Sequence, residues 1–144
     1  MKLKSTAFNN NDLIPKRFTG QGEDINPELI IEDIPESAKS LALIIDDPDA
    51  PMGMWVHWVV FDIPVDPEIR EDSIPGIQGI NDFGMLDYGG PNPPSGTHRY
   101  FFKLYALDTA LGLEEGITKR QLEKAMEGHI LEKAELVGLY KRVQ

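Results

Sequence analysis

The chain contains no cysteine. Disulfides and thiolate chemistry are thereby excluded, and a reducing compartment is the natural expectation. Long apolar runs are missing too. Leu41–Ile45 is far too short to span a bilayer, and no apolar segment follows the basic start Met1-Lys2-Leu3-Lys4. Positive charge is scarce, with 14 Lys and Arg against 24 Asp and Glu, a net charge of −10. An acidic chain without a basic cluster argues against nucleic acid and against docking on anionic lipid through bulk charge. It does not argue against a small anion held in a local pocket. The three histidines, His57, His98 and His129, are scattered and form no His-x-x-x-His pair, so no metal site is expected. A Gly-x-Ser-x-Gly elbow, a Gly-x-Gly-x-x-Gly turn and a P-loop are all absent, and no cofactor is expected. With neither repeat nor linker, the 144 residues read as one domain, 1–144, long enough to bury a sound core and expected to be cytoplasmic.

What the chain does have is a stiff loop that runs straight into a strand. Gly89-Gly90-Pro91-Asn92-Pro93-Pro94-Ser95-Gly96 cannot be regular structure, because prolines lack the backbone donor and glycines permit unusual φ. Directly after it, His98, Tyr100, Phe102, Leu104 and Ala106 alternate with Arg99, Phe101, Lys103 and Tyr105, the signature of an aromatic-rich strand. A rigid loop thus delivers a histidine and a tyrosine to one strand face.

A second unit has the same plan. Asp47-Pro48-Asp49-Ala50-Pro51 follows the apolar run Ser40–Ile45 and precedes Met54–Pro64, a strand by its β-branched and aromatic content. Strict alternation places Trp55, His57, Val59 and Phe61 on one of its faces and Val56, Trp58 and Val60 on the other. Both sets are apolar, so the strand is expected to be covered on both sides. Shorter strands are expected at Leu3–Phe8 and Leu29–Ile31, and Val65–Tyr88 reads as a long irregular stretch with a binding or structural role. Thr118 predicts an N-cap with Gln121 as capping-box partner, Leu122, Ala125 and Met126 as the apolar stripe, and Gly128 as the stop. From His129 to Val143 two periods compete: Leu131, Ala134 and Val137 fit a helix, while Val137, Leu139 and Lys141 opposite Gly138 and Tyr140 fit a strand. Several short strands with Gly/Pro turns and one late helix predict a mostly β fold, an antiparallel two-sheet sandwich.

If the two loop–strand units adjoin, His57, His98 and Tyr100 meet beside the amides of Gly89, Gly90 and Ser95 or Gly96, which are donors an oxyanion needs. Asp47 or Asp49 can then accept from an imidazole and favour its charged form. The plainer alternative is a pair of core histidines satisfied by backbone. Ser95 lies near His98 but reads as a turn residue rather than a nucleophile. Asp47-Pro48 predicts a cis bond that turns the chain at the pocket edge.

The two units together, Asp47-Pro48-Asp49-Ala50-Pro51…Trp55-Val56-His57-Trp58 and Gly89-Gly90-Pro91-Asn92-Pro93-Pro94…Gly96…His98-Arg99-Tyr100-Phe101-Phe102, resemble the signature regions of the phosphatidylethanolamine-binding protein family. Gly22–Pro27, Gln78-Gly79, Asn81–Gly84, Tyr105–Asp108 and Gly128-His129 extend the likeness to its bacterial and archaeal branch, often called Raf-kinase-inhibitor-like. The resemblance implies an extended tail and a pocket for phosphate-like or carboxylate anions, formed by Asp47, Trp55, His57, Gly90, Pro91, His98 and Tyr100. It implies a binding module rather than an enzyme, with inhibition of a serine protease or kinase partner as one alternative and a small ester hydrolase as another. One departure is plain: Met52-Gly53-Met54 replaces a longer segment with a further tyrosine in the eukaryotic proteins. The pocket rim differs accordingly, and kinase regulation does not carry over.

Overall fold

A computed structural model describes residues 1–144. Eight strands and one α-helix follow in the order β1 (Lys2–Ser5), β2 (Leu29–Glu32), β3 (Ser40–Asp47), β4 (Trp55–Ile63), β5 (Glu68–Ile69), β6 (Ile77–Gln78), β7 (Thr97–Leu107), α1 (Lys119–Met126) and β8 (Ile130–Lys141). They form two antiparallel sheets, β1-β2-β5 and β6-β4-β3-β7-β8. The mostly β, two-sheet architecture is the one expected. No helix is long and apolar enough to cross a membrane.

β3 is the centre of the larger sheet and is buried along its whole length. Its alternation feeds two cores. Leu41, Leu43 and Ile45 face the smaller sheet, where Leu3, Leu29, Ile31 and Ile69 meet Phe102 and Leu104 of β7. Ala42 and Ile44 face the other way, onto Leu122 and Met126 of α1. The helix has its predicted capping box: Thr118 Oγ1 accepts from Gln121 N at 3.1 Å, and Gln121 Oε1 accepts from Thr118 N at 2.9 Å. Gly128 takes a left-handed φ of 79° just beyond it. The tail is a strand. Leu136, Gly138 and Tyr140 turn inward, and pairing with β7 along its length overrides the helical spacing of Leu131, Ala134 and Val137.

Three expectations need correction. The opening strand stops at Ser5, whose hydroxyl accepts from Ala7 N and donates to the Glu28 carbonyl, turning the chain short of Phe8. No peptide bond is cis, so Asp47-Pro48 is trans. The turn there is made by a side chain instead, with Asp47 Oδ1 accepting from Asp49 N at 2.7 Å. The third concerns β4. Ile45 pairs with Trp58 but Asp46 pairs with Val56, so His57 is an extra residue, a β-bulge. Beyond the bulge the parity switches. Val56 joins Val59 and Phe61 under the helix, while Trp55 and His57 turn to the face that carries Tyr100.

Candidate functional site

The switch in parity builds a cavity. β3 ends at Asp47 where β4 and β7 begin, and this end of the sheet carries a hollow of about 260 Å³. Asp47, Trp55, His57, His98 and Tyr100 line it, five of the seven residues expected at a site. Two stiff loops wall it, one with Ala50, Pro51 and Met52 and the other with Asn92, Pro93 and Pro94. Phe83 completes the lining. Its ring stands edge-on to Trp55 and His57, with both pairs of centroids 5.4 Å apart. Sequence reasoning left Phe83 within an irregular stretch; an aromatic among turn residues, Asn81-Asp82-Phe83-Gly84, was the available signal.

The remaining two expected residues, Gly90 and Pro91, stand behind the wall. Gly90 N donates to Asp24 Oδ1 at 2.7 Å, and Gly89 N donates to the His57 carbonyl at 3.1 Å. Neither amide is free for a ligand, so the expected ring of loop donors is not formed by these two. Both glycines serve close approach. A Cβ on Gly90 would come within 2.5 Å of Asp24 Oδ1 and the Phe18 carbonyl, and one on Gly89 within 2.5 Å of the Phe83 ring. The Pro91 carbonyl accepts from Gly20 N at 2.8 Å, tying the loop to the segment before β2.

The histidines are held differently. His98 Nδ1 lies 2.6 Å from Asp47 Oδ2, with both groups buried. A carboxylate accepts, so Nδ1 carries the proton and Nε2 is the free nitrogen. His57 Nδ1 lies 2.6 Å from the Gly89 carbonyl, which likewise makes Nδ1 the donor. Burial lowers the His57 pKa below 6.5; the Gly89 bond and the charges of Asp47, Asp24 and Asp46 push upward and do not overcome it. Asp47 thus acts on His57 in the expected direction but is outweighed by burial, and the imidazole it accepts from is His98. Tyr100 lies between the two rings, 5.1 Å from His57 edge-on and 6.5 Å from His98 stacked. Burial first, then Asp47, Asp49 and Tyr140, push its pKa up, so the phenol keeps its proton.

His57 Nε2, His98 Nε2 and Tyr100 Oη make no hydrogen bond within the protein. Each belongs to a buried residue, and all three residues line the one hollow. The three atoms are not sealed in protein, since Asp46 Oδ1 is the one buried side-chain atom without a partner; they open onto the hollow. Ser95 is exposed and lies outside the lining. At the surface nearby, Asp49 receives Arg99 three times: from N and Nε at 2.9 Å and from the guanidinium end at 2.8 Å. That grip lowers the Asp49 pKa to about 2 and turns Arg99 away from the cavity.

Comparison with known proteins gives the family and the fold. Residues 4–141 match the family model described as phosphatidylethanolamine-binding protein. A UPF0098 protein of Methanothermobacter thermautotrophicus is 53% identical, with 99% of each chain covered. A UPF0098 protein of Pyrococcus horikoshii is 51% identical, covering 99% of this chain and 78% of its own. Among solved structures, one from Chlamydia trachomatis, described as a phosphatidylethanolamine-binding protein homologue, superimposes with a TM-score of 0.96 at 44% identity over 99% of this chain and 97% of its own. YbcL of E. coli, described as a member of the mammalian family, gives 0.90 at 27% identity over 99% and 98%.

Proposed function

The chain belongs to the phosphatidylethanolamine-binding protein family, and from that premise we propose that it is a small-anion binding module whose cavity accepts a phosphate-like headgroup without turning it over. One observation carries the reading: His57 Nε2, His98 Nε2 and Tyr100 Oη converge on one hollow with no protein partner. These atoms open onto the cavity rather than being sealed in protein, Asp46 Oδ1 being the one buried side-chain atom without a partner, so an oxyanion can pair with them without breaking a protein hydrogen bond. Asp47 serves as the positioning residue for His98, fixing its ring and its tautomer. Trp55 and Phe83, ring edge to ring face, supply the apolar part of the lining beside the histidines. The hydrolase alternative has less behind it, since no serine or threonine lines the cavity and burial keeps the Tyr100 phenol protonated.

Titration of the full chain with inorganic phosphate tests the reading. Saturable binding that His98→Ala abolishes is expected; an absence of binding would refute it. A second reading, modulation of a protease or kinase partner, draws on exposed apolar residues beside the cavity, with Met52 95% and Phe83 42% exposed. Inactivity of excess protein against a panel of such enzymes would remove it.

A further inference from the structure

β8 is an edge strand of the larger sheet, and part of its outer edge is open. Val137 and Leu139 turn their backbone groups away from β7 and spend them on the segment before β2. Their carbonyls accept from Asn11 N and Ile14 N, each at 2.7 Å. Their amides donate to Asn10 Oδ1 at 2.8 Å and to the Asp12 carbonyl at 2.9 Å. The pleat repeats every two residues, so Lys133 and Glu135 present N–H and C=O on the same edge. No segment of the chain takes these up, because the cover ends with Asn10 at Val137. Beside them lies a hollow of about 510 Å³, lined by Leu3, Phe8, Ala134 and Leu136 among others, and β1 on its rim does not pair with β8. At the other end, Ala106 pairs with Glu132 but Leu107 with Ile130. Leu131 is therefore an extra residue that bends the strand out of line. The open stretch is 132–136, and Ala134 is its centre.

An unpaired edge is a template for another strand, and charge along it decides which strands are admitted. Lys133 and Glu135 are exposed, share one face and enter no ion pair within the chain. A strand bearing charge of one sign would satisfy one of them and repel the other. A second copy of the stretch, laid antiparallel about a twofold axis at Ala134, satisfies both. Lys133 then stands opposite Glu135 of the second copy, and Glu135 opposite its Lys133. Both residues face outward, so each of these pairs is the kind that exchanges two backbone hydrogen bonds. Ala134 meets its own copy at the non-bonded position, where the strands come within about 4.5 Å between Cα atoms and a small side chain fits. Moving the axis by one residue would set Lys133 against Lys133 or Glu135 against Glu135, which like charges oppose. The bend at Leu131 and the cover at Val137 bound the overlap on both sides. We infer that this edge is a homodimer interface, in which β8 pairs with β8 of a second copy through 132–136 and joins two five-stranded sheets into one.

Sedimentation equilibrium of the full chain tests the inference. Each copy carries a net charge of −10, so physiological salt is used to screen the repulsion between them. A reversible dimer of micromolar affinity is expected, as befits a small interface. Lys133→Glu and Glu135→Lys each place like charges opposite one another at both pairs, and each should weaken the dimer about tenfold or more. Mixed in equal amounts, the two variants should associate with one another, since one then carries two acids in the stretch and the other two lysines. A chain with both reversals should recover the parent's affinity. Circular dichroism checks that these exposed substitutions leave the fold intact. A parent that stays monomeric into the high micromolar range, a dimer that neither reversal weakens, or two variants that fail to pair when mixed would each overturn the inference.

Discussion

Asp46 and Asp47 are consecutive, both buried, and both at the end of β3, yet the pleat sends them to opposite faces of one sheet. Asp46 goes to the helix side, where its Oδ2 receives Lys103 Nζ from β7 at 2.9 Å and Lys119 Nζ from α1 at 2.8 Å. Its other oxygen is buried without a partner. Asp47 goes to the cavity side, where its partners are a titratable imidazole and a turn amide. The first arrangement closes a face, since two cations from two elements pin α1 to the sheet. The second keeps a face open, because the His98 ring held by Asp47 ends in a nitrogen with no protein partner, on a residue that lines the cavity. Burial of a carboxylate is therefore no signature of function here. What distinguishes the two is whether the partner's remaining valence points into protein or into a hollow.

The largest expected effect breaks the structural side. Lys103→Met with Lys119→Met would leave Asp46 as an uncompensated buried charge, a loss on the order of 3–5 kcal/mol in urea unfolding. Adding Asp46→Asn should recover part of it. A double variant as stable as the parent would mean that water reaches the carboxylate. The matching change on the other face, Asp47→Asn, removes a charged hydrogen bond rather than orphaning a charge. It should cost less, roughly 1.5–3 kcal/mol, and should shift the ring resonances of His98 but not those of exposed His129. Equal costs for the two changes would erase the distinction between the faces.

His57 sharpens the comparison through pH. Its folded pKa is lowered, so the unfolded chain binds the proton more readily, and stability falls as pH drops below the unfolded value of about 6.5. The slope cannot exceed about 1.4 kcal/mol per pH unit for one group. Melting temperature should therefore decline from pH 6.5 downward, and the decline should flatten in His57→Phe. A flat profile in the parent would mean that the ring charges within the fold as readily as outside it.

Much of the frame was legible because it depends on local chemistry. The capping box of α1, the buried run of β3 and the two loop–strand units all follow from residue type and period. The position of His57 was not legible in the alternation, which puts it with Val59 and Phe61 under the helix. One extra residue in the ladder reverses that, and a bulge inside an unbroken apolar strand leaves no mark of its own. The roles of Gly89 and Gly90 were missed for a different reason. Their amides are consumed by His57 and by Asp24, partners 32 and 66 residues away in the chain, and no local pattern announces such a pairing. The β8 tail likewise gains its strand from β7, not from its own period.

Asp49 supplies the third case within the same short stretch, and the smallest effect. It lies just beyond the end of β3, 28% exposed at its side chain, and its cation is a half-exposed arginine. Arg99 holds its pKa from 3.8 down to about 2, chiefly through the side-chain hydrogen bond. A lowered carboxylate pKa contributes stability above the unfolded value, and that contribution is lost as pH falls from 3.8 through about 2. Water and salt screen such a pair, so Arg99→Ala should move the melting temperature at neutral pH less than any change above. The backbone amide of residue 99 still donates to Asp49 in that variant, so the carboxylate keeps part of its depression. The expected signature is a shallower acid limb between pH 4 and pH 2, with the neutral plateau nearly unmoved. Acid limbs that run parallel in parent and variant would show that the amide alone sets the Asp49 pKa. The arginine would then be a surface ornament on the turn rather than a part of what holds Asp47 in place.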